Sequence, residues 1–234
     1  MHEDVQDMIG NNQSSLLRSD PMLNDMEKVL IRQAGSTVHY PKGHVIFAAG
    51  DISDRVYLIE SGWAKIYRLS TDGRRVTVGS IRSPGEMMAL AETLLHVERT
   101  CFAGAFSDVT MVVMTKNRFE ELLAQHPFLA IKVAKLLGAR MREAEAIIQE
   151  MVCWQAPGRL ALMLMKMGEK MGEPTKNGIK INLHLTHEEI ASMVGTSRQT
   201  VTSLLNTFKQ EKSISYEGRV IRIENPDKLA KWMV

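Results

Sequence analysis

The stretch Leu185–Ile214, LTHEEIASMVGTSRQTVTSLLNTFKQEKSI, holds two helical patterns separated by one glycine. Thr186 followed three residues later by Glu189 is a capping box, in which hydroxyl and carboxylate satisfy each other's free N–H groups at a helix start. A first helix is therefore expected from Thr186, with Ile190, Ala191 and Val194 on its apolar side. Gly195 supplies the permissive backbone a turn needs, and Ser197 can cap a second helix. At about 100° per residue from Gln199, the positions of Thr202, Ser203 and Asn206 fall on one face, and those of Val201, Leu204, Leu205 and Phe208 on the other. No acidic residue occurs from Gly195 to Gln210, whereas Arg198 and Lys209 do. A phosphate backbone repels carboxylates and attracts those cations, and Gln and Asn can pair with base edges in a major groove. A solvated surface helix, the alternative, would usually mix in Glu or Asp. The candidate DNA contacts are Thr186, Ser197, Arg198, Gln199, Thr202, Ser203, Asn206 and Lys209.

Whole-chain composition says less. With 234 residues and 44% hydrophobic content the chain suits one large or two modest domains, and a net charge of +2 would not announce a nucleic-acid binder. Two cysteines, Cys101 and Cys153, are too few for a disulfide-stapled secreted fold, so a reducing cytoplasm is the simpler setting. The first residues, with His2, Glu3, Asp4 and Asp7, lack the cationic start and apolar run of a signal peptide. Apolar runs such as Leu160–Met165 fall far short of a membrane span of roughly 20 residues, so no membrane partner is expected.

Taken in order, residues 1–19 are polar and irregular and read as a mobile tail, and Asp20-Pro21 can cap a short helix running to about Ala34. From Thr37 to Thr115 short extended runs (Val38–Tyr40, His44–Phe47, Val56–Ser61, Trp63–Ser70, Val76–Ile81, Thr100–Ala105, Val109–Thr115) alternate with glycine turns such as Ser61-Gly62 and Asp72-Gly73. That punctuation predicts a small barrel or jelly roll. Lys116–Gln125 reads as a short helix, and Phe128 to about Val152 as a long one. The seam of the long helix, Val133, Leu137, Met141, Ala144, Ile148 and Met151, approaches a heptad rhythm and implies pairing with the same helix of a second subunit. Packing on its own barrel is the other reading. Cys153–Gly158 reads as a hinge, Arg159–Met171 as a buried helix, Ile179–Leu183 as a strand, and Ile214–Tyr216 with Arg219–Ile223 as a two-stranded wing before a terminal helix from Asn225-Pro226.

A helix-turn-helix with a wing, a long pairing helix and a glycine-punctuated barrel together resemble the CRP/FNR family of bacterial transcription regulators, over roughly residues 30–230. The family pattern is met most specifically by Thr186, Ala191, Gly195, Ser197, Arg198, Thr200, Val201, Leu204 and Leu205. It is met more loosely in the barrel by Pro41-Lys42-Gly43, Gly50, Ser61-Gly62, Asp72-Gly73, Pro84-Gly85-Glu86 and Arg99. The resemblance implies an α+β protein: an N-terminal β-roll or jelly-roll sensor barrel (residues 20–127), a dimerisation helix (128–153) and a C-terminal winged helix-turn-helix (154–234). It implies a cytoplasmic homodimer reading a two-fold symmetric double-stranded operator with half-sites about 34 Å apart, contact with RNA polymerase as an activator, and no enzymatic activity. Gln199 stands where the family often has Glu and Ser203 where it commonly has Arg, so a departure from the cyclic-AMP receptor's half-site is expected.

The effector is harder to read. Where the family's cyclic-AMP pocket has a Gly-Glu pair, this chain has Met88-Ala89 or Ala89-Leu90, and the helix hydroxyls are replaced by Ala144 and Glu145. A small molecule other than cyclic AMP is therefore expected, against Met87, Ala89, Leu90, Arg99, Thr100, Met141, Ala144 and Glu145. Arg99-Thr100 reads equally as an anion site or as a strand-end ion pair. An iron–sulfur cluster needs about four cysteine ligands and is excluded. A haem of the carbon-monoxide-sensing type would want His or Cys within Met87–Ala91, where neither occurs. Control by cysteine oxidation or by abundance remains an alternative. A metal-holding cupin-like enzyme would need a His-x-His pair, and only isolated histidines are present.

Overall fold

The computed structural model describes residues 22–218 and 220–233. The expected tail, the Asp20-Pro21 cap and Arg219 of the wing lie outside the described residues. The chain divides into two compact units, one formed by residues up to Ile66 with Ser80–Glu143, the other by Tyr67–Gly79 with residues from Ala144 onward.

In the first unit, α1 (Asp25–Ala34) is capped by Asn24. The Asn24 side chain accepts from Glu27 N–H at 2.9 Å, and the Glu27 carboxylate accepts from Asn24 N–H at 2.7 Å, a capping box that fixes the helix start. Strands β1 (Ser36–Tyr40), β2 (Val45–Phe47), β3 (Arg55–Ser61), β4 (Ala64–Leu69), β5 (Arg75–Thr77), β6 (Met87–Met88), β7 (Phe102–Ala105) and β8 (Val109–Thr115) form two four-stranded sheets, ordered β1-β8-β3-β6 and β2-β7-β4-β5. The longest ladder runs antiparallel between β3 and β8, Arg55 opposite Thr115 through to Ser61 opposite Thr110. β3 is buried at four successive positions, Val56 to Ile59. A strand covered on both faces reads as a continuous apolar run, and VYLI is one.

Two core clusters follow from those two faces. Val56 and Leu58 join Met87, Leu90, Val112, Met114 and Phe119 on one side, while Tyr57 and Ile59 join Met88, Ala103, Val109 and Met111 on the other. Helices α3 (Lys116–Gln125) and α4 (Pro127–Cys153) follow β8, and Leu129, Val133 and Leu136 of α4 complete the first cluster. A further helix, α2 (Leu90–Leu95), has no counterpart in the sequence reading.

The second unit contains the end of the β4–β5 hairpin, α5 (Ala156–Met171), β9 (Gly172–Thr175), β10 (Gly178–Ile181), α6 (His187–Val194), α7 (Arg198–Gln210), β11 (Ile214–Glu217), β12 (Val220–Ile223) and α8 (Pro226–Ala230). Its sheet is ordered β11-β12-β10-β9, so the wing hairpin is extended by two strands that precede the helix pair in the chain. α5 is buried along most of its length, as its apolar sequence suggested.

Gly62 closes the β3–β4 turn at φ +79°, and a Cβ placed there would stand 2.0 Å from the carbonyl oxygen of Asp108. Both the left-handed backbone and the close approach demand glycine. Gly62→Ala is expected to lose at least about 2 kcal/mol in urea unfolding, the scale of a strained backbone position plus a clash with main chain.

Candidate nucleic-acid interface

The start of α6 is fixed as the sequence suggests. Thr186 Oγ1 accepts from Glu189 N–H at 3.1 Å, and the Glu189 carboxylate accepts from Thr186 N–H at 3.0 Å. Gly195 ends α6 at φ +70°, and its N–H bonds the Ala191 carbonyl at 3.0 Å. Ser197 then caps α7, accepting from Thr200 N–H at 3.1 Å. Two short helices are thus joined by three residues, each stop and start satisfied by its own side chain or backbone.

Val201, Leu205 and Phe208 bury one face of α7. Arg198, Gln199, Ser203, Asn206, Lys209 and Gln210 are exposed, and Thr202 is half-buried at the edge of that polar face. The structure therefore brings Arg198, Gln199, Thr202, Ser203 and Asn206 together with Ser197 at the helix start, while Thr186 is exposed at the start of α6. Lys209 stands one turn beyond Asn206, its Nζ 6.0 Å from the Tyr216 ring centroid on the wing.

Residues that the sequence reading passed over hold this face in position. Arg159 of α5 donates from Nε to the Val194 carbonyl at 3.0 Å and from a terminal nitrogen to the Trp154 carbonyl at 2.6 Å, tying the end of α6 to the start of α5. Ser213, fully buried, donates from both N–H and Oγ to the Phe208 carbonyl, and its own carbonyl accepts from Glu224 and Asn225 N–H. Phe208 packs on Trp232 at 5.5 Å between ring centroids, and Trp232 Nε1 donates to the Glu211 carboxylate at 3.1 Å. Nothing in the spacing of Arg159 or Ser213 signals these roles, because each bonds backbone carbonyls.

An acid-free polar helix face, set by a capped turn and backed by a wing, is the geometry of a DNA-reading unit. The matches of this chain to known proteins agree. Residues 37–126 match the cyclic nucleotide-binding domain and residues 158–232 the Crp-like helix-turn-helix domain. The CRP-like cAMP-activated global transcriptional regulator of Mycobacterium tuberculosis is 30% identical over 194 residues, covering 83% of this chain and 86% of its own. The chain belongs to the CRP/FNR family. Another relative, the global nitrogen regulator of Synechocystis, is 29% identical over 82% of this chain and 86% of its own. The structure of a CooA variant from Carboxydothermus hydrogenoformans superposes with a TM-score of 0.73 at 26% identity, over 95% of this chain and 96% of that one. The chain is thus a DNA-binding transcription regulator of the CRP/FNR family and not an enzyme. Among the described residues no helix is long and apolar enough to cross a membrane.

The residues named for the effector are more dispersed in character. Met87, Ala89 and Leu90 are buried, Thr100 and Met141 exposed, and Ala144 and Glu145 are exposed on the part of α4 that belongs to the second unit. Arg99 is 3% exposed, and its guanidinium is directed inward. It donates to the carbonyls of Ala89 (3.1 Å) and Arg55 and to Thr93 Oγ1 (3.2 Å), and lies over the Phe47 ring at 4.8 Å, while Nε makes no hydrogen bond. Burial lowers its pKa from the ordinary arginine value, offset in part by Tyr57, Glu92 and Asp54. Thr100 donates to the Glu92 carboxylate at 3.1 Å. Arg99-Thr100 is therefore neither a pair of open anion donors nor an ion pair at a strand end. The cation is spent on main chain, and the hydroxyl holds the neighbouring acid. Nearby, Arg140 bonds the Met87 carbonyl, and burial pushes its pKa down to about 10. Cys101 is half-buried with Sγ 4.0 Å from Glu92, and Cys153 is exposed at the end of α4.

The Ala89 carbonyl that Arg99 and Thr93 share belongs to a residue at φ +65°, a left-handed conformation rare without glycine. Ala89→Gly should stabilise the chain by about 1 kcal/mol in urea melts, by removing that strain. Arg99→Ala, which leaves buried carbonyls without their donor, should cost about 3 kcal/mol.

Proposed function

We propose that this chain is a homodimeric regulator that reads a two-fold symmetric DNA site through α7 and responds to a small molecule other than cyclic AMP, acting as an activator in contact with RNA polymerase. The observation that carries the DNA reading is the exposed face Arg198, Gln199, Ser203, Asn206 and Lys209, polar or cationic throughout and presented by a buried Val201–Leu205–Phe208 stripe. Gln199 offers a donor and an acceptor where a Glu would only accept, which suits adenine N6/N7.

The dimer rests on α4. Val133 and Leu137, placed by the sequence reading on the pairing seam, face the chain's own core: Val133 is 4% exposed, and Leu137 packs against the same cluster. Ile131, Met141, Ile148 and Val152 are exposed apolar residues, and with Ala134, Gly138 and Glu145 they step by three and four residues over three heptads. Of the expected seam, Met141, Ala144, Ile148 and Met151 remain exposed. The pairing stripe thus lies about one residue aside from the one read in the sequence. Gly138 has open space where a Cβ would stand, which lets a second helix approach closely.

The effector reading is supported by chemistry: no carboxylate occurs from Met87 to Ala91, and the buried Arg99 already donates to carbonyls instead of presenting itself to a phosphate. The M. tuberculosis relative is by name cAMP-activated, so cyclic AMP is the first compound to test. A cyclic-AMP-dependent rise in thermal stability or operator affinity would overturn this part of the proposal. No response to cyclic AMP, with a response to a member of a panel of small organic metabolites, is the expected result.

Selection from a randomised duplex pool should enrich a two-fold sequence with half-site centres about one helical turn apart, and affinity should fall steeply with salt. Gln199→Glu should change the preferred base at one half-site position by about tenfold or more, a bidentate pair being worth roughly 1–3 kcal/mol. Met141→Glu with Ile148→Glu should leave a folded monomer in sedimentation that has lost operator binding. A variant pair that stays dimeric would remove the α4 seam from the interface.

A further inference from the structure

Thr202 stands on the DNA-facing edge of α7, yet its hydroxyl is already engaged twice. Oγ1 lies 2.9 Å from the Arg198 carbonyl oxygen and 2.7 Å from His187 Nδ1 at the start of α6. A threonine hydroxyl has one proton to give. The Arg198 carbonyl has none, so the proton goes there, and the oxygen accepts from Nδ1–H of His187. His187 is thereby held as the Nδ1–H tautomer. Protonation of the ring adds a hydrogen at Nε2 and leaves the Nδ1–H contact in place, so the arrangement is common to both charge states.

With its proton given to the Arg198 carbonyl and one lone pair taken by His187, the Thr202 hydroxyl has nothing to donate to a base, and beside its second lone pair the side chain offers its methyl group. In a major groove the apolar feature a methyl can meet is the C5 methyl of a pyrimidine. We propose that Thr202 reads such a methyl group, and that His187 is the positioning residue that imposes this by occupying the Thr202 hydroxyl. The proposal rests on α7 being the DNA-reading helix. It divides the polar face by chemistry: Gln199 and Asn206 amides for hydrogen-bonded edges, and Thr202 for a hydrophobic contact at the edge next to α6.

The first test needs no DNA. In ring-nitrogen-labelled full-length protein, the His187 imidazole should be the Nδ1–H tautomer when neutral, and Thr202→Val should return it to the ordinary Nε2–H form. An Nε2–H ring in the wild type overturns the proposal.

The second test uses the duplex that the wild type enriches from a random pool, with each thymine of one half-site replaced in turn by deoxyuridine, which lacks only the methyl. One position should weaken binding by about fourfold, the worth of one buried methyl. Thr202→Val, which keeps a methyl and loses the hydroxyl, should retain that penalty, and Thr202→Ser should abolish it. At the same position, 5-methyldeoxycytidine should be bound about fourfold better than deoxycytidine by the wild type, and equally by Thr202→Ser. Equal binding of 5-methyldeoxycytidine and deoxycytidine by the wild type at that position overturns the proposal. So would a wild type indifferent to every deoxyuridine, or a Thr202→Val variant that has lost the preference. A pool from which no two-fold sequence is enriched overturns the DNA-reading proposal itself, and this one with it.

Discussion

The exposed face of α7 depends on how firmly the opposite face is held, and the hold converges on the Phe208–Ser213 corner. Ser213 closes the helix end through two donors to the Phe208 carbonyl, and accepts the chain returning from the wing through its own carbonyl. A fully buried serine that left any of these groups unpaired would cost about 1–3 kcal/mol, so the corner is either complete or a liability. Because it is complete, it ties the end of α7, the end of the wing and the start of α8 together. The six exposed polar residues of α7 then need no interactions of their own to stay in place, which is what leaves them available to a ligand.

Helix boundaries that rest on local side chains were legible in the sequence. Thr186 with Glu189, and Ser197 ahead of Thr200, announced caps that the structure contains. What stayed hidden depends on contacts distant in sequence or on backbone shapes that residue types do not advertise. α2 follows an alanine in the left-handed conformation, where a reader looks for glycine. β9 carries Pro174, which argues against a strand, and it is an edge strand, where proline costs least. The core face of α4 was hidden because small and apolar residues crowd Leu129 to Ala139 on every side, so spacing could not say which of them the barrel would claim. Arg99 looked available because a sequence shows a charge and not the carbonyls around it.

The two ends of the chain treat charge in opposite ways. In the first unit, buried Arg99 and half-buried Arg140 bond mainly to main-chain oxygen, with Glu86 and Glu143 near the second. In the second unit, Arg198 and Lys209 stand exposed on a face without acids. The two units thus use the same residue types with different solvation, which is why net charge was so poor a guide to either.

Helix α4 has a buried beginning and an apolar, exposed continuation. Leu129, Val133 and Leu136 are already in the barrel core of a single chain, so the barrel completes its interior without a second copy. For the proposed dimer this makes folding and association consecutive events, the first unimolecular and the second dependent on concentration. At low concentration the proposed regulator would be folded but unassembled, and its amount would itself govern DNA binding.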